Sequence, residues 1–269
     1  MLAVTQFAEF VDSDLEANKV TRGHVEEFID SVLDNRSAAT AKQRYMSLRT
    51  FFGWLVEEDE LEVSPMLKMK PPKVEEKPPP ILTEAEFDKM LRAASGRSFL
   101  DRRDNAILHL LADTGMRASE LCGLMIEDVD IDDHLVAHVL GKGQKFRAAP
   151  FGHETAQAID RYLRARTQHP KTHLPNLFLG KRGPITRSWL GRLVRVRGEE
   201  VGIEGLHPHL FRHTFAHRWL AQGGQESDLI RIVGWSQKSA MEMLQRYGAS
   251  AASERAHAAH RRLGPVDNR

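Results

Sequence analysis

Four separated patches of the chain carry side chains that can hold an anion, move a proton or act as a nucleophile. In TGMRASELCGL, Arg117 and Glu120 stand at i and i+3, so on a helix the carboxylate can hold the guanidinium in one orientation. In LGKGQKFRAAPF, Lys142 sits between Gly141 and Gly143, where a sharp turn would leave its ammonium exposed and able to give a proton to a departing alkoxide. In HPHLFRHTFAHRWL, His209 and Arg212 are three apart at the start of a helix, whose N-terminus already favours anions. In VGWSQKSAMEMLQRYGAS, Trp235 offers an indole N–H and Tyr247 a phenol beside Arg246.

Taken singly, each patch has an ordinary explanation. An Arg–Glu pair is usually a surface salt bridge, a lysine on a glycine turn is usually solvated, and a tyrosine is usually packing. His213 and His217 have the i, i+4 spacing of a zinc pair, but no glutamate lies between them in the metalloprotease arrangement and no cysteine completes a site. The single cysteine, Cys122, excludes an internal disulfide and reads as a small core residue.

The elements that must position these groups follow from periodicity and punctuation. MKPPKVEEKPPPILT, with five prolines, cannot form a helix or pair within a sheet. It reads as a linker over 69–82 between a helical segment, 1–68, and a larger one, 83–269. In the first, Thr21 caps a helix from about Val25 to Leu33, and Ser37 or Thr40 opens a longer one ending near Val56. Its apolar stripe is Leu48, Phe51, Phe52 and Leu55, while Lys42, Tyr45 and Arg49 are expected on a separate basic, aromatic face suited to DNA phosphates. In the second, Thr83 and Glu86 form a capping box opening a helix to about Ala94, and another helix covers about Asp101 to Leu111. VDIDD reads as a turn; HLVAHVL and KFRAAPF read as hairpin strands joined by GKGQ. Helices are expected over 153–167, 186–200, 209–221, 225–233, 238–246 and 250–261. The fold class is therefore mainly α with one small antiparallel sheet.

Composition bounds the function classes. Hydrophobic residues are 41% and charged residues 28%, as in a globular protein. No apolar run approaches the roughly 18 residues of a membrane span, and the acidic start MLAVTQFAEFVDSD is unlike a secretory signal, so a cytoplasmic location is expected. Net charge is only +1, but residues 1–65 hold 13 Asp+Glu against 6 Lys+Arg, leaving the remainder at +8 and pointing weakly to a polyanionic partner.

In their order and spacing, TGMRASEL, GKGQKFRAAPFG and HPHLFRHTFAHRWL resemble the tyrosine recombinase (phage integrase) family over about residues 83–262. Segment 20–64, ending TAKQRYMSLRTFFGWLVEEDELEVSP, is similar to the last two helices of that family's core-binding domain. The resemblance implies a C-shaped clamp on double-stranded DNA. It implies strand cleavage and rejoining through a 3′-phosphotyrosyl bond to Tyr247 and a Holliday junction, with no metal and no high-energy cofactor. Arg117 and Arg212 would grip the scissile phosphate, Lys142 would protonate the leaving oxygen, His209 would move protons around the tyrosine, and Trp235 would donate to the phosphate. Glu120 would support the site from behind. Lys42, Tyr45, Arg49, Lys145 and Arg147 would touch DNA. The tail ASERAHAAHRRL would pack into a neighbouring protomer, giving a homotetramer on DNA from a free monomer.

The chain departs from the family at two points. Trp235 and Tyr247 are twelve apart, about three more than usual, which one extra helical turn could absorb. About 20 residues precede the first matched helix, so a reduced clamp, a short core-type site and indifference to flanking arm sequences are expected. The leaning is to phage-type integration and excision. Alternatives are a chromosome-dimer resolvase, a type IB topoisomerase, or a catalytically silent DNA-binding regulator.

Overall fold

The computed structural model describes residues 2–74, 80–141 and 146–263. The chain divides into two compact units, residues 1–77 and 78–269.

The first unit holds α1 (Leu2–Val11), α2 (Arg22–Asn35) and α3 (Ala38–Glu57). Thr21 caps α2 by accepting from the His24 N–H, and Ser37 caps α3 by accepting from Thr40. The sequence reading missed α1, which is short and has no capping signal ahead of it. Its Phe7 ring meets Phe28 edge-on at 5.4 Å and Phe52 at 5.9 Å, so three helices share one core.

Tyr45, expected on the DNA face with Lys42 and Arg49, lies instead in the core. Ala41, Tyr45, Leu48, Phe52 and Leu55 are all buried along one stripe of α3. Steps of three and four residues put Tyr45 on the apolar face rather than with Lys42 and Arg49, which are exposed. Its ring is fully buried, and its hydroxyl donates to the Met69 carbonyl at 2.6 Å. Tyr45 is a core residue.

The second unit is built round α5 (Phe99–Thr114), which packs on α7 (His153–Arg166) and α9 (Pro208–Ala221). Ahead of α5 lies α4 (Glu84–Ala93), opened by the Thr83–Glu86 capping box; α6 (Ala118–Gly123) follows it. An antiparallel sheet of order β1 (Val129–Asp130), β2 (Val136–Leu140) and β3 (Phe146–Pro150) covers one end of the core. Register runs from Val136 opposite Pro150 to Leu140 opposite Phe146, which is the expected hairpin. VDIDD is only in part a turn, since Val129 and Asp130 pair with β2. The hairpin tip, with Lys142 and Lys145, lies outside the described residues.

A second small hairpin, β4 (Leu179–Gly180) with β5 (Gly183–Pro184), was not read from the sequence because each strand is two residues long. After it come α8 (Arg187–Glu200), α9, α10 (Glu226–Val233) and α11 (Gln237–Leu263). The two helices expected at 238–246 and 250–261 are one. Gly248 lies inside it, and a helical glycine costs about 1 kcal/mol without ending a helix whose face is packed. That packing is a subcore of Ala216, Leu220, Leu229, Val233, Tyr247 and Ala251, drawn from α9, α10 and α11. The architecture is mainly α with small antiparallel sheets. Among the described residues, no helix is long and apolar enough to cross a membrane. Cys122 packs against the larger core, and burial pushes its thiol up to about 11.

Candidate active site

The site forms around the end of α10. Gly234 there adopts φ 65°, a left-handed conformation that turns the chain away from the helix axis and leaves the last carbonyls without helical partners. Three arginines from three other elements take three successive carbonyls. Arg147 of β3 donates to Ile232, Arg212 of α9 donates through Nη2 to Val233 at 2.7 Å, and Arg117, the residue before α6, donates through Nη2 to Gly234 at 3.2 Å. A helix C-terminus is the negative end of the macrodipole, so this is where cations are favoured. Arg212 also donates through Nη1 to Gly115 O at 2.8 Å, tying the α5 cap to α10.

Glu120 supplies the counter-charge. Its carboxylate accepts from the Arg117 backbone N–H at 2.7 Å, from Arg117 Nη1 at 2.9 Å and from Arg147 Nη2 at 2.8 Å. Burial works to raise the Glu120 carboxyl, but the Arg117 N–H and the charges of Arg147 and Arg117 outweigh it and hold it below the ordinary value. Burial pulls Arg212 down to about 9, with the nearby charge of Arg117 adding to the effect, so it stays charged at neutral pH. Arg147 was expected to touch DNA. Its side chain is only 10% exposed and is committed to Glu120 and Ile232, so it locks β3 to the site instead.

Tyr247 comes from the other side, on α11. Its ring stacks on Trp235 with centroids 5.9 Å apart and planes within 8°. The twelve-residue spacing is therefore absorbed: α11 starts two residues after Trp235 and its extra length brings the tyrosine back over the indole. The phenol meets Nδ1 of His213, and the His213 ring lies edge-on to His209 with centroids 4.4 Å apart. His209, Arg212 and His213 occupy i, i+3 and i+4 on α9, whose first turn is capped by His207. Burial pushes the Tyr247 hydroxyl up to about 12. It pulls His213 down to about 4, helped by His209, His207, Arg212 and Arg246. His209 is lowered by burial and then by Arg212. At neutral pH the phenol is protonated, both imidazoles are neutral and Arg212 is charged.

Of the expected site residues, Arg117, Glu120, His209, Arg212, Trp235 and Tyr247 meet in one network with Arg147. The sequence reading weighed His213 only as a zinc ligand. The signal that could have found it is its place one turn after His209 and next to Arg212, which puts it on the same face of α9. The arrangement places fixed positive charge beside a phenol with two neutral imidazoles in line behind it. A phosphodiester bound there would gain stabilisation as charge develops on its non-bridging oxygens.

Comparisons with known proteins identify the family. A family model described as the phage integrase family matches residues 80–254. The curated protein tyrosine recombinase XerC of Thermodesulfovibrio yellowstonii is 32% identical over 232 residues, covering 83% of this chain and 75% of the relative. Tyrosine recombinase XerD of Bifidobacterium longum is 34% identical over 225 residues, covering 78% and 72%. Among solved structures, XerA recombinase is 27% identical with a TM-score of 0.60, covering 97% of this chain and 89% of that one. XerH recombinase bound to a palindromic difH substrate shares the fold, with a TM-score of 0.80 at 19% identity and coverage of 96% and 77%. The chain belongs to the phage integrase family and is a tyrosine recombinase, an enzyme of site-specific DNA recombination.

Proposed function

We propose that this recombinase cuts DNA through Tyr247 and rejoins it by reversal of the same step. The phenol oxygen attacks phosphorus in line, a 3′-phosphotyrosyl bond forms, and the 5′ oxygen leaves. Arg117 and Arg212 stabilise the phosphorane, Trp235 donates to it, and Glu120 holds Arg117 in place. Lys142, on the hairpin tip, protonates the leaving oxygen, and His209 belongs to the proton-transfer chain around the tyrosine. The ester conserves the bond energy, so no nucleotide cofactor or metal is required. The observation that carries this reading is the convergence of Arg117 and Arg212 on the turn at 233–234, next to the indole on which Tyr247 stacks.

The partner is double-stranded DNA with a short core-type site, contacted in part by Lys42 and Arg49 of the first unit and by Lys145 of the hairpin tip. Strand exchange through a Holliday junction requires four active sites, so the acting form is a homotetramer on DNA, and the setting is the cytoplasm. In the single chain the α11 tail lies on its own α9, with His217 Nε2 at 3.5 Å from Glu254 and Ala251 fully buried. Exchange of that tail between protomers is the proposed link in the tetramer.

Within this activity, the relatives named XerC and XerD favour chromosome-dimer resolution over the phage-type integration to which the sequence leaned. Sequencing junctions formed in cells expressing the protein separates the two. Resolution recombines two copies of one site on one replicon, whereas integration joins two unlike sites. A nicked suicide duplex carrying the recovered site should trap a covalent adduct with the native protein and none with Tyr247→Phe.

A further inference from the structure

The proton on the Tyr247 hydroxyl must leave as the phosphotyrosyl bond forms, and the structure bears on where it goes. His213 Nδ1 is in hydrogen-bond contact with the phenol, from the same turn of α9 that supplies Arg212. The two rings have centroids 5.4 Å apart and planes inclined by 46°. His209, by contrast, is placed against His213, edge to face. We propose that His213 is the immediate proton acceptor for Tyr247 during strand cleavage, with His209 behind it. This rests on the recombinase reading and adds a residue to it.

In this step the Oη lone pair forms the Oη–P bond while the Oη–H bond breaks, its proton passing to the lone pair on His213 Nδ1. The P–O5′ bond breaks with its electron pair on O5′, which takes a proton from the Lys142 ammonium. Rejoining runs each transfer backwards. For Nδ1 to accept, His213 must be the neutral Nε2–H tautomer. Burial and the charged or titratable groups facing it, His207 at the α9 cap, His209 and Arg212 from α9 and Arg246 from α11, keep it neutral in the free protein. A phosphate entering beside Arg212 reverses part of that bias, because an anion stabilises the imidazolium. The phenol itself grows more acidic as its oxygen bonds to phosphorus. The imidazole therefore becomes the stronger base and the phenol the stronger acid only when DNA is engaged.

Two measurements test this. The first uses the free protein labelled with ¹⁵N-histidine: at pH 7, Nδ1 of His213 is expected to be unprotonated and hydrogen-bonded, with the proton on Nε2. A proton on Nδ1 overturns the proposal, since that atom would then donate to the phenol. The second is single-turnover cleavage of a nicked duplex carrying the junction sequence recovered from cells, with His213→Ala and His213→Asn compared. Asparagine keeps a short hydrogen-bonding group without a basic nitrogen, so it should preserve melting temperature and DNA affinity even if alanine does not fold. Its cleavage rate at pH 7 should fall about 100-fold, within the range for general base catalysis, and recover as pH rises because hydroxide replaces the lost base. A 5′-bridging phosphorothiolate needs no leaving-group proton, so it should not rescue this variant, whereas it should rescue Lys142→Ala. Native-like cleavage by His213→Asn, or full rescue by the sulfur substrate, overturns the assignment. Absence of any Tyr247-dependent adduct with the native protein instead removes the recombinase reading, and the proposal with it.

Discussion

Arg117 and Arg212, 95 residues apart in sequence, donate to adjacent carbonyls, Gly234 at 3.2 Å and Val233 at 2.7 Å. The backbone of one turn is thus the gauge that sets two guanidiniums side by side. Like charges brought this close repel, which contributes to the lowering of Arg212. The α10 C-terminus and Glu120 offset that repulsion, and a bound phosphate would offset the remainder.

Glu120 is the charge on which this balance depends. Glu120→Gln keeps the shape but puts an amide N–H₂ against donors of Arg117 or Arg147. Loss of the charged hydrogen bonds should cost about 2–3 kcal/mol in urea denaturation. Cleavage of the suicide duplex should fall about 10- to 100-fold through loss of oriented charge at the phosphate. Native cleavage by this variant would show that Arg117 needs no such support.

Two glycines make opposite predictions. At Gly234, φ is 65° and an added Cβ would lie 2.7 Å from Arg147 Cδ. Gly234→Ala should therefore lose at least about 1–2 kcal/mol and impair cleavage as the 233–235 turn shifts. At Gly248 nothing lies within 4 Å of an added Cβ, and the backbone is helical. Gly248→Ala should raise stability by about 1 kcal/mol, measured by thermal melting, with cleavage retained.

Stability should be lost at both ends of the pH scale. His213 is held at about 4 against an ordinary 6.5, so the unfolded chain takes up that proton first and stability falls as pH drops from 6.5 through 4. His209, also lowered, adds to the same window. Tyr247 is held at about 12 against an ordinary 10, so the unfolded chain loses its proton first and stability falls as pH rises from 10 towards 12. Because His213→Asn lacks one of the two lowered groups, its melting temperature should fall less than the native protein's as pH drops below 6.5, and the two curves should separate.

In the first unit, the buried Tyr45 and the exposed Lys42 and Arg49 should separate cleanly. Tyr45→Phe removes the hydrogen bond to Met69 and should cost about 1 kcal/mol of stability with DNA affinity unchanged. Lys42→Ala and Arg49→Ala should leave melting intact and reduce the dependence of DNA binding on salt, by about one unit of slope for each phosphate left unneutralised.

What the chain determines locally was legible in its residues. Thr21, Ser37 and Thr83 announce helix starts because capping is a contact within four residues, and GKGQ between alternating apolar strands announces a hairpin for the same reason. Three motifs in order were enough to reach the family, since each is a short continuous stretch of the chain. Tertiary structure decided what depends on elements distant in sequence. Tyr45 continues the apolar stripe of α3 in steps of three and four, but its hydroxyl finds a partner only where the chain returns at Met69. Arg147 reads as a free cation until β3 meets α6 and α10, where Glu120 and Ile232 claim it. His213 acquires its place beside Tyr247 only because α11, which starts at Gln237, packs back on α9 and brings the phenol to it. Burial, the charge surrounding a group and hydrogen bonds across 30 or 100 residues are properties of the packed chain, and no local pattern encodes them.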